Sequence, residues 1–404
     1  MENFEKKIRA YALRNALAHG GEAQPGAVIS ALFNDGLKKE EVKDHSESIR
    51  EIIQDVNRLS EEEQEKAIES YKDFISEREG REGLPKLPDA KKGKVVMRFA
   101  PSASGPMHIG HALTSSISFL LVKEYGGKFY VRVEDTNPEN IYPKAYKMLE
   151  DESKWLFDNE FEFVIQSDRM ELYYNYSKKL IEKNSAYVCT CSSEEFKKFS
   201  EDKKDCPCRN LNVKENLERW DKMISKKGFE EGEAVLRFKF LGGMKDKNPA
   251  MRDFPLARIN LTKHPRQKNK YRVWPLMNLA VAVDDIEMGM THIVRGKDHR
   301  DNSERQKKIY SALGLGKKNP WTSFLGKIKF KDLELSTTKI RESIERGEYS
   351  GWDDSRLPTI ASLRKRGYHP KAFWNFAEKI GFSESDKVMD KKEFFMLLDS
   401  FNKK

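Results

Sequence analysis

The side chains with most chemistry to offer are His108 and His111, in the stretch Pro101–His111 (PSASGPMHIGH) that follows the apolar run Val95–Phe99 (VVMRF). A strand feeding a Gly/Pro loop and then a helix gathers free backbone N–H groups and the positive helix end at one point, where polyphosphate binds. Three residues apart, the two imidazoles face one side of the first helical turn. They can donate hydrogen bonds to phosphate oxygens and to charge developing on them. The spacing is also compatible with two surface histidines. A second cluster is made of thiols. All four cysteines fall between Cys189 and Cys208, as Cys189-Thr-Cys191 and Cys206-Pro-Cys208. Two CxC pairs across a short polar spacer predict one tetrahedral thiolate site suited to Zn²⁺, with chance clustering and redox chemistry as alternatives. Four thiolates leave a metal no open position, so its role is expected to be structural.

The scaffold that must position these groups is partly legible. Val95–Phe99 reads as a buried strand, Gly110–Tyr125 as a helix, and Lys128–Val133 as a second strand ending at Glu134-Asp135-Thr136. A βαβ unit of that size predicts an α/β fold with a parallel, doubly wound sheet and ligands at the carboxyl ends of its strands. The His108 and Glu134 loops both lie at such ends and face one crevice. Residues 1–90 read as a separate helical region, with Ser60 and Glu63 as a capping box for a helix running towards Phe74, and Gly80–Pro88 as linker. That region has no catalytic signature and reads as a surface or docking module. The cysteine-bearing stretch 140–265 looks like an insertion. Strand-like patterning resumes near Tyr271, through Val281–Asp285 and Thr291–Gly296. After Gly351 the pattern is helical and basic, with Arg356, Arg364, Lys365 and Arg366. The resulting partition is 1–90, 91–139, 140–265, 266–330 and 331–404.

At 404 residues, 38% of them hydrophobic, the chain can hold two or three folded domains. A net charge of +9 favours a polyanionic partner such as nucleic acid. No apolar stretch reaches the length of a membrane span, and the start, Met1–Glu5, has no signal-peptide character. A cytoplasmic protein without membrane partners is expected.

His108-Ile109-Gly110-His111 resembles the HIGH signature of class I aminoacyl-tRNA synthetases. Arg98–Ser102, Arg132–Pro138, Asn248–Asp253, His264–Gln267, Tyr271–Pro275, Gly289–His299 and Ser350–Leu357 are similar, in order and spacing, to the archaeal and eukaryotic type of glutamyl-tRNA synthetase. The likeness covers roughly residues 10–380. It implies a Rossmann-type catalytic domain, an acceptor-stem-binding insertion and a helical stem-contact region. It also implies ATP, Mg²⁺, L-glutamate and tRNA as ligands, with adenylate formation followed by transfer to the terminal adenosine.

By position, the resemblance gives Arg98, Ser102, Glu134, Met277 and Arg295 to the amino acid, Glu134 holding its ammonium group. A bidentate guanidinium and an acidic partner suit an amino acid with two carboxylates. Pro101, Gly105, His108, Gly110 and His111 fall to ATP. Glu334–Ile340 (ELSTTKI) lies where the KMSKS loop is expected, which adds Ser336, Thr337, Thr338 and Lys339 to the ATP set. Lys339, helped by Lys329 or Lys331, would lay an ammonium on the β/γ-phosphates, and with His108 and His111 it forms the catalytic group. Arg356, Arg364 and Arg366 fall to tRNA.

Two departures stand out. Met277 occupies the place of a tyrosine that packs on the amino-acid side chain, and Thr337 replaces the second lysine of the loop motif. Family members also continue into β-barrels that read the anticodon, which are not evident here. A shortened chain, a separate chain carrying the anticodon-binding domain, and a reader of the acceptor arm alone are the corresponding expectations. Other readings of the same residues are the glutaminyl sister enzyme, a small nucleotidyltransferase, and a tRNA-binding scaffold without activity.

Overall fold

The computed structural model describes residues 2–38, 40–75 and 83–402, and the chain divides into two compact units, Met1–Glu79 and Gly80–Lys404. Most of the expected Gly80–Pro88 linker is described from Gly83 onward, and Leu84, Leu87 and Ala90 pack in the second unit's core.

In the first unit the described residues form helices α1 (Glu2–Leu17), α2 (Pro25–Asn34), α3 (Val42–Asn57) and α4 (Glu61–Glu69). Gly20 and Gly21, both at positive φ, turn the chain between α1 and α2. Ile49, Ile53 and Val56 recur at helical spacing along α3 and meet Ile8, Leu13, Val28 and Leu32 in one core. The Ser60 hydroxyl accepts the Glu63 N–H while the Glu63 carboxylate accepts the Ser60 N–H, so the expected capping box is present. The helix it starts ends at Glu69, and Lys72–Phe74 is a separate 3₁₀ turn.

The second unit opens with β1 (Val95–Phe99), α5 (Ile109–Tyr125), β2 (Gly127–Val133), α6 (Ala145–Leu156) and β3 (Glu162–Ile165). β1 pairs parallel with β2, and β2 with β3. α7 (Met170–Glu182), β4 (Ala186–Cys189), α8 (Ser193–Glu201), α9 (Val213–Ile224), β5 (Val235–Phe238), β6 (Pro255–Ile259) and β7 (Val273–Pro275) follow, with β4–β5–β6–β7 forming an antiparallel sheet. α10 (Met277–Glu287) leads into β8 (His292–Gly296), α11 (Arg300–Ala312) and β9 (Trp321–Leu325), where β8 and β9 pair parallel. Thr291 stitches the two parallel ladders together: its N–H donates to the Val96 carbonyl and its hydroxyl accepts the Val96 N–H. The strand order is therefore β3–β2–β1–β8–β9. The order reverses between β1 and β8, which is the switch point where such sheets bind ligands. β10 (Ile328–Phe330), α12 (Thr337–Glu345), α13 (Ile360–Lys365), α14 (Pro370–Ile380), β11 (Lys387–Met389) and α15 (Lys391–Phe401) complete the chain.

Three expectations need correction. Val281–Asp285 is not a strand but the buried middle of α10, because a continuous apolar run covered on all sides has no period to tell helix from strand. The stretch from 140 to 165 belongs to the parallel sheet, and the antiparallel layer begins later, at Ala186. The short edge strand β3 gave little signal, with none of its residues fully buried. The last segment is not wholly helical either, since β11 pairs with β10. No helix among the described residues is long and apolar enough to cross a membrane.

Candidate active site

β1 and β8 end side by side, and the groups that the sequence singled out converge there. Arg98 is the penultimate residue of β1, Arg295 lies near the end of β8, and His108 and His111 lie at the start of α5. With Glu134 and His299 they line one cleft of about 530 Å³. The loops after β1 and β2 are held in register: the Glu134 N–H donates to the Pro101 carbonyl and the Ala103 N–H to the Glu134 carbonyl. Ser102 is thereby set opposite Glu134.

His108 has a more specific place than its spacing implied. It is the N-cap of α5, and its Nδ1 accepts the N–H groups of Gly110 (3.1 Å) and His111 (3.4 Å). The Ile109 N–H goes to the Pro358 carbonyl. The free backbone N–H groups expected at this helix start are thus already satisfied. An anion would meet imidazole instead of bare peptide. Because Nδ1 accepts, the proton of the neutral ring sits on Nε2, which makes Nε2–H the donor. A Cβ at Gly110 would lie 3.0 Å from the His108 ring, so this cap geometry calls for glycine. The His111 ring stacks on that of His108 at 3.8 Å between centroids and 20° between planes. Its Nδ1 is buried without a protein partner. Burial pushes His111 down to about 4, and burial together with the neighbouring ring holds His108 well below its ordinary value. Both are neutral hydrogen-bonding groups at neutral pH.

Beneath the cleft lies a buried ionic network. Arg98 donates from Nε (2.7 Å) and Nη2 (3.1 Å) to Asp285, and Arg132 donates from Nη1 to the same carboxylate (2.6 Å). Asp284 collects Gln166, Arg169 and Tyr173 at 2.7–2.8 Å. Burial works to raise the Asp285 carboxyl, but Arg98 and Arg132 outweigh it and hold it below the usual range. Glu134 is raised by burial against the pull of Arg132, Arg98 and Arg295. Burial, reinforced by Arg98, brings Arg295 down to about 10. Four guanidiniums (Arg98, Arg132, Arg169, Arg295) gather around three carboxylates (Glu134, Asp284, Asp285) beneath and beside the cleft. Sequence reasoning passed over Asp284 and Asp285. Two acids closing the apolar run Leu279–Val283 were the available signal.

A second hollow, about 550 Å³, lies on the other side of Glu134 and is lined by Ser102, Trp274, Met277, Thr338 and Arg341 among others. Met277, the first residue of α10, faces this hollow and is not among the residues lining the histidine cleft. Two donors on its wall, Trp274 Nε1 and Asn260 Nδ2, are buried without a protein acceptor.

The Glu334–Ile340 segment divides between the two hollows. Leu335 lines the first, while Thr338 lines the second. Ser336 caps α12 by accepting the Lys339 N–H, and Thr337 packs 3.2 Å from where a Cβ on Gly105 would stand. Lys339 itself is not brought to the cleft. Its Nζ is exposed and donates to Glu334 at 3.0 Å. The lysines that line the cleft are Lys327, paired with Asp298 (3.3 Å), and Lys329, paired with Asp386 (3.0 Å). Their alternate spacing around β10 was the signal for Lys327. Further along the chain, Arg356 is bound to Asp354, Arg364 lies over Trp155 and Arg366 over Phe395.

The four cysteine sulfurs lie within 4.8 Å of one another. Cys189 and Cys206 are 3.8 Å apart, and Cys191 and Cys208 3.9 Å. A tetrahedron with metal–sulfur bonds of about 2.3 Å has edges of about 3.8 Å, so the geometry fits a thiolate-bound metal. The Thr190 N–H and Arg219 both donate to Cys208, as suits a thiolate there.

A model for the catalytic domain of class I tRNA synthetases (E and Q) matches residues 94–401. A glutamate–tRNA ligase of Methanobrevibacter smithii is 42% identical over 404 residues, covering 99% of this chain and 71% of that protein. One from Pyrococcus furiosus is 42% identical over 395 residues, covering 95% and 68%. Among solved structures, a glutamate-tRNA synthetase from Elizabethkingia anophelis is similar with a TM-score of 0.53 at 20% identity, covering 75% of this chain and 70% of that one; this likeness bears on the fold alone.

Proposed function

The chain belongs to the class I tRNA synthetases of the glutamate and glutamine type, and on that premise we propose that it activates glutamate with ATP and passes the glutamyl group to the terminal adenosine of tRNA. The observation that carries this reading is the single cleft at the β1/β8 switch point, where two stacked neutral imidazoles face two guanidiniums and a glutamate.

The first step joins the glutamate α-carboxylate oxygen to the α-phosphorus of ATP as the bond to pyrophosphate breaks. No protein nucleophile is needed, and positioning with charge placement supplies the rate. Arg295 and the remaining edge of Arg98 would take the side-chain carboxylate, and Glu134, in its ionised form, would take the ammonium. The Nε2–H of His108 and the His111 ring would donate to phosphate oxygens as charge builds on the leaving pyrophosphate. Being neutral, they stabilise that charge without titrating near pH 7. Lys327 and Lys329 edge the same cleft, and Lys339 would join them by leaving Glu334. Mg²⁺ entering with ATP would supply further positive charge to the triphosphate.

In the second step a ribose hydroxyl of the terminal adenosine attacks the glutamyl carbonyl and AMP departs. The hollow beyond Glu134 suits that nucleotide in size and polarity, with Ser102, Asn137 and Arg341 among its lining. Arg356, Arg364 and Arg366 would meet the phosphates of the stem. Charging assays with labelled amino acids test the reading. Transfer of glutamate to tRNA is expected. Transfer of glutamine alone would move the assignment to the sister specificity, and tRNA binding without any transfer would reject the enzymatic reading.

Zn²⁺ would be held by Cys189, Cys191, Cys206 and Cys208, fastening α8 and the turn at Pro207 to the end of β4. Elemental analysis of protein purified without chelator is expected to give about one zinc per chain, falling to near zero in Cys206→Ala. Four thiols without metal in the native protein would contradict the assignment.

A further inference from the structure

Arg295 differs from the other arginines of the site in what holds it. Arg98 and Arg132 are bound to the Asp285 carboxylate, whereas Arg295 forms no ion pair among the described residues. Its Nη1 donates to Gln306 Oε1 at 2.9 Å and to Ser303 Oγ at 3.3 Å, both neutral acceptors. Ser303 and Gln306 lie three apart on one face of α11, and Gln306 is 5% exposed.

The direction of the Gln306 amide is fixed by a chain of side chains. A guanidinium can only donate, so Gln306 turns its oxygen to Arg295 and its NH2 to Asn278 Oδ1 (3.3 Å). Asn278 Nδ2 then donates to Asn302 Oδ1 (3.2 Å), an oxygen that also accepts from Arg305 Nη1 (3.2 Å). The Asn302 NH2 is left for His299 Nδ1 (3.2 Å). Two guanidiniums, one at each end, thus demand the same orientation of all three amides. Reversing any one of them would set donor against donor and acceptor against acceptor.

We propose that Gln306 is a positioning residue that sets specificity: it aims Arg295 through a neutral acceptor, so that the guanidinium keeps its charge for the side-chain carboxylate of the amino acid and disfavours the amide analogue. The proposal rests on the role given to Arg295 above. A carboxylate at this position would hold the same N–H more strongly. It would also cancel the charge on Arg295 and repel an acidic side chain entering the cleft. The amide gives direction without charge, and its own NH2 is anchored by Asn278.

Pyrophosphate exchange into ATP, measured with tRNA present, gives kcat and KM for glutamate and for glutamine. Exchange by the unaltered chain with glutamate establishes the underlying reading on its own, and its absence would overturn that reading and the proposal with it. Gln306→Glu is expected to raise KM for glutamate about tenfold or more with kcat held within about threefold. With kcat/KM for glutamine no lower, the preference for glutamate should fall about tenfold or more. A KM for glutamate that does not rise overturns the proposal. So does an equal loss with both amino acids, the mark of a merely structural residue. Should Gln306→Glu fold poorly, Gln306→Met removes the anchor and leaves the guanidinium charge. There KM for glutamate is expected to rise about threefold or more with kcat little changed, and an unchanged KM would overturn the proposal.

Discussion

His108→Asn is expected to slow adenylate formation about 100-fold while shifting Tm by no more than about 2 °C. The two jobs of His108 lie on different atoms. Nδ1 caps α5 by accepting from Gly110 and His111, and Nε2–H faces the cleft. Asparagine is among the best N-caps, so its side-chain oxygen replaces the acceptor and preserves the helix start. Its shorter side chain does not carry a donor to where Nε2–H stood. Loss of one preorganised donor to developing oxyanion charge costs about 100- to 1,000-fold in related settings, which sets the scale. Pyrophosphate exchange and thermal melting, run on the same preparations, check both halves. A melt lowered by many degrees would mean that the ring acts mainly as a structural cap.

Asp285→Ala is expected to cost about 3–5 kcal/mol, because one deletion leaves two buried guanidiniums without their main partner. Arg98 and Arg132 are 5% and 0% exposed, so solvent replaces little of the lost interaction. Tm should fall by roughly 5–10 °C. Because Asp285 also fixes the direction of Arg98, KM for glutamate should rise about tenfold or more in whatever fraction remains folded. Asp285→Asn keeps the shape but not the charge, and should sit between the two. Melting curves with a glutamate titration at constant ATP separate the stability loss from the binding loss.

The sequence disclosed the βαβ unit closely because its signals are local. An apolar run, a Gly/Pro loop and a helical repeat lie within Val95–Val133, and the strands form within a residue of the positions they imply. The capping box at Ser60 is local in the same sense. What was not legible depends on partners far along the chain. Arg98 and Asp285 are 187 residues apart, and nothing near either one shows that they share a buried bridge. The misreading of Val281–Asp285 as a strand concealed that partner as well. Lys339 matches the loop motif in order, but the lysine turns back to Glu334, while Lys329 on β10 and Lys327 just before it reach the cleft. The imidazole cap was invisible for another reason: spacing tells which face a side chain occupies, not which of its two nitrogens is already in use.

The most direct measurement is a crystal structure with a non-hydrolysable sulfamoyl analogue of glutamyl-adenylate. The account predicts its side-chain carboxylate against Arg98 and Arg295, its ammonium at Glu134, and its phosphate mimic within hydrogen-bond reach of the His108–His111 pair. An analogue bound with its acidic end away from both arginines, or with the histidines facing no part of it, would contradict the account.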